Sequence, residues 1–167
     1  MKKVVVLILI TIFNLSYSQT TNANLNNQLR LLRKYSLEKK YKEVLGFTHP
    51  EVIKMFGGQD KMIQMTTVQL KKMENEGFSI LDITYKEPSS FFKVGKETQV
   101  TIRQEILMKA PKGKILGGYT MIGISKDDGK NWKFIDTSGK SKEVMLKYFP
   151  NLSPGIVIKP KTKKILD

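Results

Sequence analysis

The sequence predicts an α+β domain in which N-terminal helices pack on a curved antiparallel sheet, and three observations predict it. Apolar residues recur at helical spacing as far as Glu76, the period falls to two from Phe78 onward, and short Pro- and Gly-containing turns separate the two-period runs.

The chain opens on Met1-Lys2-Lys3, an apolar run Val4–Phe13 and the small residues of Ser16-Tyr17-Ser18, the pattern of a secretory signal cut after Ser18. The apolar run is well short of the ~20 residues that span a bilayer, and no Cys follows it to carry a lipid. The mature chain is therefore expected outside the cytoplasm, periplasmic or secreted, beginning at Gln19. Lys2 and Lys3 leave with the leader, so the formal charge falls from +14 to +12. The lysines are spread along the chain without interleaved aromatics, which argues against a nucleic-acid surface and for a solvated face, with attraction to anionic envelope polymers. With no Cys in the chain, apolar burial alone must stabilise one domain over residues 19–140, followed by a C-terminal helix and basic tail over 141–167.

Leu25, Leu29 and Leu32, with Arg30, Arg33 and Lys34 on the other face, predict an amphipathic helix over residues 22–38. A short helix over 39–46 turns Tyr41, Val44 and Leu45 inward and stops at a left-handed Gly46. Pro50 and Glu51 start a third, Gly57-Gly58 end it, and Asp60–Glu76 forms the longest, with Met62, Met65, Leu70 and Met73 as core filler and Gly77 closing it. Ser79–Tyr85 reads as a strand with Leu81, Ile83 and Tyr85 inward and Asp82 outward, Phe91–Val94 as a short extended piece, and Gly95-Lys96 as a turn.

Two long strands, Gln99–Ala110 and Lys114–Ser125, flank Pro111-Lys112-Gly113, which fits a three-residue hairpin loop. That register sets Gln104 opposite Thr120 as a single polar rung on an apolar face. Arg103 and Glu105 point the other way as a solvated ion pair, and Gly117-Gly118 marks a bend or bulge. Lys140–Tyr148 reads as a short helix, and Lys159–Asp167 as a mobile end.

Ser125, Asp127, Gly129 and Trp132 form the pattern S-x-D-x-G-x-x-W, which resembles the Asp-box of sialidase-type β-propellers, where the acid ties down a hairpin turn and the Trp packs beneath it. It occurs once with no blade-length repeat, so a structural turn is implied and a propeller is not. The order of elements over Leu25–Asp136, with Glu38–Leu45 at the helix–helix step and Phe47–Val52 at the following turn, resembles the nuclear transport factor 2-like superfamily, the cystatin-like cone fold shared with ketosteroid isomerases and polyketide cyclases. The resemblance implies a pocket between helices and sheet, used for small apolar ligands or for chemistry on a carboxylate base.

His49 is the one histidine, so imidazole-based metal sites are not expected, nor is any cofactor. His49 reads as a helix N-terminal residue before Pro50, with a place at the pocket mouth as the alternative. Gln104 and Thr120 either bond each other across the strands or orient a ligand. The pocket candidates are accordingly Gln104, Thr120, His49 and Tyr41, no residue is assigned as catalytic, and the expected function is non-catalytic binding of a small apolar ligand. Alternatives are an isomerase- or dehydratase-like enzyme using the same pocket, which would show a buried carboxylate there, and an envelope-associated interaction module, with a homodimer through the sheet.

Overall fold

The computed structural model describes residues 22–166; the leader read over residues 1–18 lies outside the described residues. Helix α1 covers residues 22–37 and buries Leu25, Leu29 and Leu32 as one stripe. Lys39 breaks it with a φ of 57°, and α2 (Tyr41–Leu45) restarts the chain. The left-handed position expected at Gly46 is therefore Lys39, and Gly46 is right-handed. Helix α3 (Pro50–Met55) has Pro50 in its first turn and His49 as its N-cap, the ring accepting a hydrogen bond from the Glu51 N–H. Gly57 and Gly58 then turn the chain with φ values of 83° and 107° into α4 (Gln59–Asn75).

The expectation that α4 fills the core is corrected. None of its residues is buried; Met62, Leu70 and Met73 are half-buried and Met65 is exposed. The helix packs on α2, α3 and β1, and of its apolar stripe Met73 alone borders a cleft on the sheet.

Strands β1 (Ser79–Tyr85), β2 (Phe92–Val94), β3 (Glu97–Ala110), β4 (Gly113–Ser125), β5 (Lys133–Asp136) and β6 (Thr162–Leu166) make a curved, open, six-stranded antiparallel sheet. The long pair β3–β4 is central. β1 and β2 share the far edge of β3, and β5 and β6 share the far edge of β4. Helix α5 (Lys142–Tyr148) precedes β6 and is capped by Ser141.

The hairpin between β3 and β4 turns over two residues, Pro111 and Lys112, with Ala110 opposite Gly113. Pro111 supplies a fixed φ and Gly113 a φ of 99°, so the chain reverses one residue sooner than a bulged loop would. The slip moves every cross-strand pair: Gln104 faces Tyr119, and Thr120 faces Arg103. The Gln104–Thr120 rung does not form.

This register sorts the sheet into two faces, each with its own core. Val100, Ile102 and Met121, with Trp132 and Phe134, meet Leu25, Leu29 and Leu32 of α1 on the inner face. Ile122, Ile124 and Ile135 meet Met145 and Phe149 of the α5 region, and Leu152 and Ile156 beyond it, on the outer face.

The segment after α5 is stitched down by side chains of the outer face. Gln99 donates to the Asn151 carbonyl and accepts from the Ser153 N–H. Thr120 exchanges hydrogen bonds with both backbone groups of Lys159, and Arg103 donates to the Pro160 carbonyl and the Thr162 hydroxyl. The end expected to be mobile is thus strand β6, and Arg103 is its anchor rather than a partner of Glu105, which pairs with Lys86. Gly118 leaves room for this, because a Cβ there would stand 2.3 Å from the Arg103 guanidinium; the register runs through Gly117 and Gly118 without a bulge. The bulge lies in β1 between Ile80 and Asp82. It throws Leu81 outward while Ile83 stays buried, and Asp82 pairs with Arg33 at 2.6 Å.

Candidate functional site

The inner face is only partly covered. Beyond α1, the C-terminal end of α4 borders a cleft of about 450 Å³. Its floor is Met108 of β3 with Ile115, Gly117 and Tyr119 of β4; Phe78 and Glu76 close the β1 side, Met73 of α4 the roof, and Lys161 and Lys163 the β6 side. Met73, Phe78, Met108, Ile115 and Tyr119 are each half-buried, so apolar surface on both walls stays open to solvent, at a size suited to a small molecule.

Polar groups of the inner face adjoin this floor. Gln104 is buried in the rung Tyr85–Gln104–Tyr119. On the next rung, Ile102–Met121–Asp136, the inward parity of Trp132 and Phe134 brings Asp136 to the same face. The residue as a whole is exposed, while its carboxyl has enough neighbouring atoms to be partly desolvated. Burial raises its pKa above the ordinary carboxylate range, against the Ser138 N–H at 2.6 Å and Lys140, which act in the opposite sense. Burial, followed by the negative charge of Asp136, likewise raises the Tyr85 hydroxyl above its ordinary range.

Of the residues expected to line a pocket, Gln104 stands on the inner face beside the cleft. Thr120 is on the outer face, its hydroxyl engaged by Lys159, as the one-residue slip requires. Tyr41 opens α2, half-buried and outside the cleft lining. His49 is also away from the cleft: it caps α3, sits edge-on to Phe149 at 5.4 Å, and separates two smaller recesses of about 260 and 170 Å³ near Lys126 and Glu97. Burial, then Lys126, holds its pKa below the ordinary imidazole value, so it is neutral at pH 7. Since Nδ1 accepts from Glu51, the proton of the neutral ring is on Nε2.

The turn residues are tied to one another. The Ser125 hydroxyl donates to Asp127 at 2.8 Å and accepts from the Gly129 N–H, Asp127 also accepts from the Asn131 backbone and side chain, and the Trp132 indole donates to the Gly129 carbonyl. Gln28 of α1 locks this turn to the helix, donating to the Lys130 carbonyl and accepting from the Trp132 N–H, both at 2.8 Å.

Glu76, Tyr119, Asp136, Lys161 and Lys163 were missed as site residues. Counting by twos from Trp132 finds Asp136, whereas Thr-Lys-Lys-Ile-Leu has no polar–apolar alternation to mark β6. Among the described residues no group of three or more His, Cys, Asp or Glu side chains converges as a metal site would, and no helix is long and apolar enough to cross a membrane.

No family model, curated protein or solved structure matches this chain. What the site does is therefore argued from its geometry.

Proposed function

We propose that this is an exported, non-catalytic binding protein of the nuclear transport factor 2-like cone fold, which holds a small, mainly apolar molecule in the cleft between α4 and the inner sheet face. One observation carries the reading: Met73 at the end of α4, Phe78 just before β1, Met108 of β3 and Ile115 and Tyr119 of β4 border a 450 Å³ space that they leave unfilled. A helix serving only to cover the core would be set down on the sheet, since packing to interior density is what stabilises such a layer. The helices-then-meander order supports the cone assignment, and the basic, apolar, small-residue order of residues 1–18 supports export.

Displacement of the apolar fluorophore N-phenyl-1-naphthylamine by a panel of small apolar compounds tests the binding. Met108→Trp, which fills the floor, should abolish it, and Gln104→Leu should change affinity across the panel by severalfold. Probe binding undiminished in Met108→Trp would remove the cleft from consideration. For export, the protein recovered outside the cytoplasm should have the intact mass of a chain starting at Gln19; a retained leader in that fraction refutes it.

A catalytic reading is favoured by one observation, the Asp136 carboxylate with a raised pKa on the face that carries Tyr85 and Gln104. On that reading Asp136 is a general base. Its mark would be turnover of a bound compound that Asp136→Asn abolishes while leaving binding intact.

A further inference from the structure

Charge is distributed unevenly around the cleft. Lys161 and Lys163 stand at the β6 side and Glu76 at the β1 side, with β3 and β4 between. Three strand-to-strand steps separate the two edges, about 14 Å at the usual spacing. Neither lysine has a carboxylate partner among the described residues. The stem of Lys161 passes over Gly139, where an added Cβ would approach it to 2.9 Å. Lys163 shares the inner-face rung of Gly117. Between the charged ends the floor is apolar, running from Ile115 to Met108 to Phe78 beneath Met73. Both lysines are exposed, so a neutral apolar ligand would leave their ammonium groups in water and gain nothing from them. An anionic head on an apolar chain satisfies both halves of the cleft.

We infer that the occupant is a free single-chain amphipathic carboxylate, its head at Lys161 and Lys163 and its aliphatic chain laid across Ile115, Met108 and Phe78, away from the lysines. This rests on the binding reading above and specifies its ligand class. At this cleft size the chain is of medium length, roughly eight to twelve carbons. The head group is held by the C-terminal strand, so the last residues of the chain select the ligand while the helices and central strands accommodate its body.

The test uses the whole mature protein with the same fluorophore, displaced by octanoate, decanoate and dodecanoate below their micelle concentrations, by decanol, and by decyltrimethylammonium. Decanoate should displace the probe at about tenfold lower concentration than decanol, affinity should rise about fourfold per added methylene, and the cationic amphiphile should be the weakest. Lys161→Ala/Lys163→Ala should lose the preference for decanoate and keep decanol binding, which also shows that the variant is folded. Lys130→Ala/Lys147→Ala, which removes the same charge elsewhere, should keep the preference. Equal affinity for decanoate and decanol overturns the inference and leaves the binding reading standing. So does a preference lost equally in both lysine pairs, which would mean only the general positive field. Binding to anionic vesicles with no displacement by free carboxylates also overturns it, and failure of the probe and of every amphiphile to bind removes both readings.

Discussion

Replacing Trp132 by Ala probes the junction on which the two halves of the domain depend. The indole is 1 % exposed, lies 5.9 Å from the Phe91 ring, and rests on Gly123, where an added Cβ would come within 3.2 Å of it. Truncation removes a fully buried aromatic whose surroundings, β-strands and a helix, cannot collapse freely, and such losses cost about 3–5 kcal/mol. The lost indole N–H bond to Gly129 adds about 1 kcal/mol where the carbonyl is left without a partner. Against a total of roughly 5–15 kcal/mol for a domain of this kind, Trp132→Ala should be close to unfolding it. Trp132→Phe keeps much of the packing and should lose about half as much. Because Trp132 is the only tryptophan, urea denaturation should be followed by far-UV circular dichroism rather than fluorescence. An unchanged midpoint at unchanged slope in Trp132→Ala would refute the argument that this ring is a core residue.

Gln28→Ala should cost about 1–2 kcal/mol by freeing the Lys130 carbonyl and the Trp132 N–H. Combined with Asp127→Ala, it should fall short of the sum of the single effects, because both act on one turn; additive denaturation midpoints would show the two to be independent. His49 gives a pH signature. Its pKa is depressed in the folded state, so the unfolded chain binds the proton more readily, and stability should decline as pH falls through the unfolded imidazole value near 6.5. His49→Asn keeps an N-cap and should flatten the thermal-melt profile between pH 7 and 5; an identical pH dependence in the variant would assign the effect elsewhere. Asp127 acts in the opposite range. Burial raises its pKa, but hydrogen bonds from the Asn131 side chain and backbone and from Ser125 outweigh this and hold it below the ordinary value. The stability it contributes is present above about pH 4 and is lost as pH falls through the lower folded value, a decline that Asp127→Asn should diminish.

Much of this fold was legible because its signals are local. The period change at Phe78, the Pro50 and Gly77 boundaries and the turn Ser125–Trp132 each depend on a few neighbouring residues, and each was placed within about two residues of where it lies. What could not be read depends on relations between distant segments. Pro111-Lys112-Gly113 admits both a two- and a three-residue reversal, and choosing the longer one turned Thr120 to the wrong face. The Met stripe of α4 has the spacing of a buried helix, but spacing cannot say whether the opposing wall is in contact or a cleft away. The C-terminal residues look like a charged tail because their strand partner, Lys114–Gly118, lies more than forty positions earlier. The candidate site suffered most from this, since its lining comes from α4, the segment before β1, and the strands β3, β4 and β6.

The joint between α2 and α3 has a consequence for the protein's behaviour in concentrated solution. Thr48 forms a parallel bridge with Phe134, the His49 N–H donates to the Phe134 carbonyl, and the Phe134 N–H donates to Phe47. These bonds occupy backbone groups of β5 that would otherwise template another chain. The other margins of the sheet are blunted by different means: β1 is interrupted by its bulge, β2 is three residues long, and β6 carries Lys163 and Lys164. Bulges, brevity, charge and covering loops are the devices by which open sheets resist adding strands from a neighbour. Aggregation of this protein should accordingly begin from partly unfolded chains, and its onset should track loss of the Phe47–His49 bridge rather than protein concentration alone.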